Sequence, residues 1–208
     1  MTRLARFRPH LHLLRARRPR VVRGPLIVLP GVLDPVATKV GEWFAAAMAE
    51  VVVPGERWLD LGCGTGVVGI ALAKAGAIAT CADIDAQAVR NAAANAALHG
   101  LHIDAVQSDL LAALPPRRFD KIAANLPFWP GVSSRPGLDR VLDRALYAGP
   151  DFEILRRFGE TYRTVADAAF VVLSESGGDF IAARAALGPT RLVRRARIRG
   201  EWLDILAL

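Results

Sequence analysis

Apolar residues recur along this chain in short blocks, and between the blocks they recur at helical spacing. From residue 57 onward the two patterns alternate. Trp58 to Leu61 reads as a strand running into a glycine-rich loop, Gly62 to Gly66. Val67 to Ala75 then has helical composition, and Gly76 stops it. Ile78 to Ala82 reads as a second strand, and Asp85 caps an alanine-rich helix ending near His99 and Gly100. Further strands are expected at Ile103 to Gln107, Phe119 to Ala124 and Phe170 to Leu173, with a helix over Asp151 to Ala166 between the last two. Asp179 to Leu187 is a short helix. Arg191 to Arg199 and Trp202 to Leu206 are strands, and the Gly200-Glu201 pair between them suits a tight hairpin. Upstream, Gly24 to Pro30 is apolar, and Val36 to Val53 is a helix carrying Trp43, Phe44 and Met48 onto the sheet edge. The prolines and glycine of Pro30 to Pro35 make a rigid loop before that helix, placed to border a pocket.

This alternation predicts an α/β fold: a three-layer, doubly wound, mostly parallel Rossmann-like sheet with an antiparallel C-terminal hairpin. The 208 residues divide into a basic arm, 1–23, and one domain, 24–208. With 52% hydrophobic and 23% charged residues, the chain is neither disordered nor a coiled coil. No apolar run approaches the roughly 18 uncharged residues of a membrane span. Cys63 and Cys81 make neither a zinc cluster nor a secreted disulfide framework, so a cytoplasmic enzyme is expected.

Charge is uneven. The net +7 includes eight arginines before residue 24, where there is no acid, and a second cluster at Arg191, Arg194, Arg195, Arg197 and Arg199. Between them, 14 basic groups face 18 acidic ones. Basic ends beside an acidic core fit contact with a phosphate backbone. They equally fit a tail in a protein that uses arginine throughout, since only Lys39, Lys74 and Lys121 are lysine. Leu4, Phe7, Leu11 and Leu14 give the arm the look of a transit peptide, but Pro9 and Pro19 interrupt it, and it reads as part of the mature chain.

The chemistry sits where strands end. In open α/β sheets ligands bind outside the carboxyl ends of the strands. The first strand delivers Asp60-Leu-Gly-Cys-Gly-Thr-Gly66 to that edge. Gly64-x-Gly66-x-x-Gly69 also matches the dinucleotide fingerprint, with Asp83 or Asp85 about 20 residues on, so a nicotinamide-dependent oxidoreductase competes. Asp60 favours another ligand: a carboxylate there repels a pyrophosphate and attracts an ammonium and a sulfonium. Asp83 is placed to accept from a ribose diol. Asp109 can reach an adenine amino group or stand as a solvated loop acid.

Asp60, Gly62, Cys63, Gly64, Thr65 and Gly66, with Asp83, Ile84, Asp85, Asp109 and Leu110, resemble the S-adenosylmethionine site of class I methyltransferases. The resemblance covers residues 30 to 208 in element order. It implies a glycine loop around the methionyl part of the cofactor, Asp83 on the ribose and Asp109 at the adenine.

Asn125-Leu126-Pro127-Phe128 follows the fourth strand. An amide or exocyclic amine nitrogen is a poor nucleophile because its lone pair is delocalised. The Asn125 side-chain oxygen and the Leu126 carbonyl can accept its two N–H protons and aim it, Pro127 stiffens the turn, and Phe128 offers a ring face. This set is similar to the Asn-Pro-Pro-Tyr type motif of amino-group methyltransferases, which act on glutamine or adenine, and Leu126 is similar to the form in ribosomal-RNA adenine dimethylases. The resemblance implies an N-methyltransferase, with Asn125 also bordering the cofactor. The expected acceptor is a macromolecule, protein glutamine or an RNA or DNA base, with a small amine or amide as the alternative. A cofactor-retaining, inactive RNA-binding module is a third reading. The long connection Gly131 to Pro150, with a helix over Asp139 to Leu146 and a polar tip at Ser133 to Gly137, is expected to cover the acceptor.

Overall fold

The structure is a computed structural model and describes residues 20–21, 26–114, 118–131 and 144–208. The rest of the basic arm and the polar tip at Ser133 to Gly137 lie outside the described residues. So do residues 139–143 of the helix expected in that connection, although 144–146 are helical.

Two short strands, β1 (Arg20–Val21) and β2 (Ile27–Val28), pair antiparallel. The main sheet contains β3 (Arg57–Leu61), β4 (Ile78–Asp83), β5 (Asp104–Gln107), β6 (Phe119–Ala124), β7 (Ala166–Ser174), β8 (Arg191–Ile198) and β9 (Glu201–Ala207). Its order is β5-β4-β3-β6-β7-β9-β8. All pairings from β5 to β7 are parallel, and the last two strands are antiparallel. Strand order reverses between β3 and β6, which opens a crevice at their carboxyl ends.

The helices are α1 (Pro35–Thr38), α2 (Val40–Ala49), α3 (Val67–Lys74), α4 (Ala86–Leu98), α5 (Glu153–Thr161) and α6 (Phe180–Ala186). On one face of the sheet, Phe44 and Met48 of α2 and Leu72 of α3 bury Trp58, Ala123 and Val172. On the other, Leu155 and Phe158 of α5 bury Leu59, Ile122 and Val171. This is the three-layer, doubly wound architecture that the alternation of elements predicts.

Four local expectations are corrected. The helix expected over Asp151 to Ala166 ends at Thr161, and Ala166 already pairs with Phe119 in the sheet. Alanine has little strand preference of its own, but Ala166 and Ala169 are fully buried in the cluster that holds α5, so tertiary burial overrides local preference here. The helix expected over Val36 to Val53 is split by Lys39, whose φ is 65°, and it stops at Ala49. The third strand starts at Asp104 rather than Ile103. At the hairpin the turn residues are Arg199 (φ 51°) and Gly200 (φ 86°), and Glu201 is already paired with Ile198. Two left-handed residues in succession match the twist of the flanking strands.

Buried asparagines of α4 hold the segment before α1. The Asn95 Oδ1 accepts the Ile27 N–H at 2.7 Å and the Asn91 Oδ1 accepts the Leu29 N–H at 2.8 Å. Both Nδ2 groups donate to the Ile27 carbonyl, and that of Asn95 also donates to the Thr65 carbonyl at 2.9 Å. Both side chains are fully buried, and these bonds meet the hydrogen-bonding demand that burial creates.

Candidate active site

A cleft of about 230 Å³ opens over the carboxyl ends of β3, β4 and β6. Every site residue expected from the sequence lines it except Gly66, which lies beneath at the start of α3. There a Cβ would stand 2.9 Å from the Ala92 Cβ of α4. Gly69, one turn on, lets α3 approach the sheet; a Cβ at that position would collide with the Cys81 sulfur.

Asp60 is 1% exposed on β3, and its Oδ2 accepts the Gly69 N–H at 2.8 Å and the Cys81 thiol at 3.7 Å. The carboxyl thus anchors α3 beneath the glycine loop while bordering the cleft. Burial raises its pKa to about 7, more than the Gly69 bond lowers it. The neighbouring Cys81 sulfur and burial push the Cys63 thiol well up, which keeps it protonated.

A folded-state pKa of about 7 lies above the unfolded value, roughly 3.9. The favourable contribution of protonated Asp60 is therefore complete at acid pH and fades as pH rises toward 7. Thermal melts at pH 5 and pH 8 should show the wild type losing more stability over that interval than Asp60→Asn. Equal losses in the two proteins would refute this reading.

Asp83 ends β4. Its Oδ2 accepts the Gly64 N–H at 3.0 Å and its Oδ1 accepts the Asp85 N–H at 2.9 Å. One carboxylate thus ties the glycine loop to the start of α4. Burial raises its pKa against those two bonds. A carboxylate oxygen has two lone pairs, so these bonds leave Asp83, at the cleft, capacity to accept from a ligand. Ile84 stands beside it, exposed and apolar. Asp85 caps α4 through the Gln87 N–H, as expected. Asp109 is exposed at the cleft edge, where Arg157 donates to its Oδ2 at 3.1 Å, and Leu110 follows with φ 48°.

The acceptor-side turn leaves β6 with the Asn125 N–H bonded to the Leu61 carbonyl. Among the described residues, neither the Asn125 side chain nor the Leu126 carbonyl has a hydrogen-bond partner. Leu126 is buried, and the Phe128 ring lies directly on Gly177, where a Cβ would strike it. Trp129 is buried among Leu33, Ala37, Phe128, Leu146 and Tyr147. Its N–H bonds the Leu146 carbonyl, and its carbonyl accepts the Ala148 N–H. The two ends of the long connection are thereby closed on each other, and residues 144–146 wall the cleft.

Other lining residues were not singled out individually in the sequence, although Asp34 belongs to the loop expected to border a pocket and Arg144 to the connection expected to cover the acceptor. Asp34 caps α1 through its Oδ1, and Ser108 accepts the Ala113 N–H while its own N–H bonds the Asp83 carbonyl. Ile154 and Arg144 line the cleft as well. The proline-started helix after Asp34 marks it further as a cap; Ser108 and Ile154 carry no local pattern.

Asp34, Asp60, Asp83, Asp85 and Asp109 line the cleft, and Arg144 is the one basic residue among the described lining residues. Such a cavity suits a ligand bearing positive charge and disfavours a pyrophosphate. The open glycine loop, the Asp83 lone pairs and the Ile84 wall fit an adenosyl group with a cationic side arm. Among the described residues no cluster of three metal-ligating side chains occurs, and no helix is long and apolar enough to cross a membrane.

Residues 41–146, half of the chain, match the methyltransferase small domain family. A ribosomal protein L11 methyltransferase of Thermus thermophilus is 42% identical over 80 residues, 38% of this chain and 32% of that protein. A release factor glutamine methyltransferase of Deinococcus radiodurans is 38% identical over 100 residues, 46% of this chain and 36% of that protein. The matched stretch thus spans about a third of these curated relatives. In fold, the chain is similar to the T. thermophilus 16S rRNA N2 G1207 methyltransferase solved with AdoMet and guanosine. There the TM-score is 0.63 at 22% identity, over 91% of this chain and 49% of that one.

Proposed function

Because the chain belongs to the methyltransferase small domain family, we propose that it is an S-adenosylmethionine-dependent N-methyltransferase. Its acceptor, in this reading, is an amide or exocyclic amino nitrogen of a macromolecule in the cytoplasm. The observation that carries the nitrogen chemistry is the pair of acceptors at the cleft wall beside Phe128, the Asn125 side chain and the Leu126 carbonyl, which have no hydrogen-bond partner among the described residues. Named substrates of the relatives support it: a glutamine for one, a guanine N2 for the other.

When bound, the cofactor supplies an activated methyl group on a sulfonium centre. Asp83 would hold the ribose hydroxyls, and Ile84 would cover one face of the adenine. Leu110, and Asp109 beside its Arg157 partner, would border the adenine edge. The loop from Gly62 to Gly66, with Cys63 and Thr65, would enclose the methionyl part. Asn125 and the Leu126 carbonyl would take the two N–H protons of the acceptor and fix the direction of its lone pair. Phe128 would stack on the acceptor plane, and Pro127 keeps that turn rigid. Alignment of this kind contributes roughly 7–11 kcal/mol in favourable cases.

The test is transfer of labelled methyl from S-adenosylmethionine into a cell extract, with nuclease-sensitive, protease-sensitive and low-molecular-weight label counted separately. Label in a macromolecular fraction is the expected result. Label confined to small molecules, or no binding of S-adenosylhomocysteine, would refute the proposal.

Gly177→Ala probes the acceptor side alone. A methyl group there must displace the Phe128 ring, so transfer should fall about tenfold to a hundredfold. S-adenosylhomocysteine affinity, measured by calorimetry, should stay close to that of the wild type. Loss of both together would show that the ring serves the whole cleft.

A further inference from the structure

We propose that the β8–β9 hairpin is a landing surface for a single nucleic-acid strand that leads into the cleft. The inference rests on the methyltransferase reading above and names the class of its acceptor.

The topology puts the hairpin turn at the catalytic edge. β7 runs parallel to β6, and Ser174 at its end pairs with Leu203. Arg197, Trp202 and the turn therefore stand at the same edge as Asn125. Three strand spacings, roughly 14 Å, separate β6 from β8. The turn is also fastened to the acceptor wall: Arg199 donates to the Ala37 carbonyl at 2.7 Å, and Ala37 packs on Trp129.

The side chains at this place suit phosphates and bases. Trp202 is 40% exposed, and the guanidinium carbons of Arg195 and Arg197 lie 5.8 and 6.0 Å from its ring. Arg195 is neutralised by Asp204 and Arg194 by Glu50. Arg197 and Arg199 are different, because their hydrogen bonds go to carbonyl oxygens of Gly200 and Ala37 and neither has an ion-pair partner among the described residues. Further along the edge, Arg144 is exposed at the cleft wall, with no ion-pair partner among the described residues. Cations beside and along the edge from an exposed indole can hold phosphates while the ring stacks on a base. A peptide presenting a glutamine offers neither a regular row of anions nor a planar base for Trp202. RNA and DNA strands share the chemistry recognised here, and the experiment separates them.

The test measures fluorescence anisotropy of fluorescein-labelled 20-nucleotide single strands, RNA and DNA of one mixed sequence, with the full chain from 50 to 300 mM salt. The double variant Arg197→Gln/Arg199→Asn retains a residue that tolerates the left-handed turn. It should bind at least one of the strands about tenfold more weakly, and its log–log salt slope should be shallower by about 1.4, the loss of two phosphate contacts. Trp202→Ala should weaken binding about tenfold through lost stacking. S-adenosylhomocysteine affinity serves as the control for folding and should be unchanged in both variants. Affinity and slope equal to wild type in the double variant, no binding of either strand, or methyl label found only in protein would each overturn the proposal. Failure of the wild type to bind S-adenosylhomocysteine would instead strike the methyltransferase reading, whatever the nucleic-acid result.

Discussion

Asn125→Ala is expected to slow methyl transfer by about 10²–10³-fold, the scale seen when one preorganised polar contact to a reacting group is removed. The Asn125 N–H that ties the turn to Leu61 is a backbone group and survives the substitution. The fold should therefore keep its melting temperature within a degree or two, and S-adenosylhomocysteine affinity should fall by less than about tenfold. What disappears is one of the two acceptors for the N–H protons, and with it the fixed direction of the nitrogen lone pair. Single-turnover rates with the cofactor saturating are the measurement. A variant that transfers methyl at the wild-type rate would remove Asn125 from the chemistry and leave the acceptor side to the Leu126 carbonyl and Phe128. Asn125→Asp is informative beside it, because a carboxylate still accepts hydrogen bonds; partial recovery would locate the effect in the acceptor oxygen.

Asp83→Ala should have the second large effect, on binding rather than turnover. On the proposed reading two hydrogen bonds to a charged group would be lost from the ligand, each about 1.5–3 kcal/mol, which corresponds to a rise in Kd of roughly 10²–10⁴-fold. The same carboxylate also receives the Gly64 and Asp85 N–H groups, so the glycine loop should loosen in the absence of any ligand. A lower melting temperature of the free protein, together with weak binding of S-adenosylhomocysteine by calorimetry, is the expected pair of results. Asp83→Asn separates the two roles, since the amide oxygen can serve one backbone N–H but not the ribose and both N–H groups together. Unchanged affinity in Asp83→Ala would exclude it from the ribose.

The position of these two residues at the cleft was legible in the sequence because each follows a strand and belongs to a short local pattern. The same holds for the glycine loop and for Asp85, whose capping bond needs only its own helix. Asp60 was legible as a cleft residue but not as an anchor for α3, because the Gly69 and Cys81 contacts depend on how closely α3 lies on β3 and β4. Gly177 and Ser108 could not be found at all. Their importance arises from neighbours distant in the chain, the Phe128 ring in one case and the Asp83 carbonyl in the other. Likewise Ala166 to Ala169 has the composition of a helix, and its strand conformation comes with pairing to β6 and burial against α5, contacts distant in the chain. Lys39 carries no sequence signal for a left-handed kink; the kink follows from the Asp34-capped turn that precedes it.

The asparagine clamp of α4 bears on where this protein can be cut. The stretch that matches the family begins at residue 41, yet the backbone of Ile27 and Leu29 completes the hydrogen bonding of two side chains fully shut away from water. A fragment started at Pro30 would strand Asn91 and Asn95, at about 1–3 kcal/mol for each polar group left alone. Asn95 also holds the Thr65 carbonyl, so the injury would be felt inside the glycine loop. The smallest excisable unit therefore extends upstream at least through β2, and shorter pieces made for screening should be judged by their ligand affinity before their solubility.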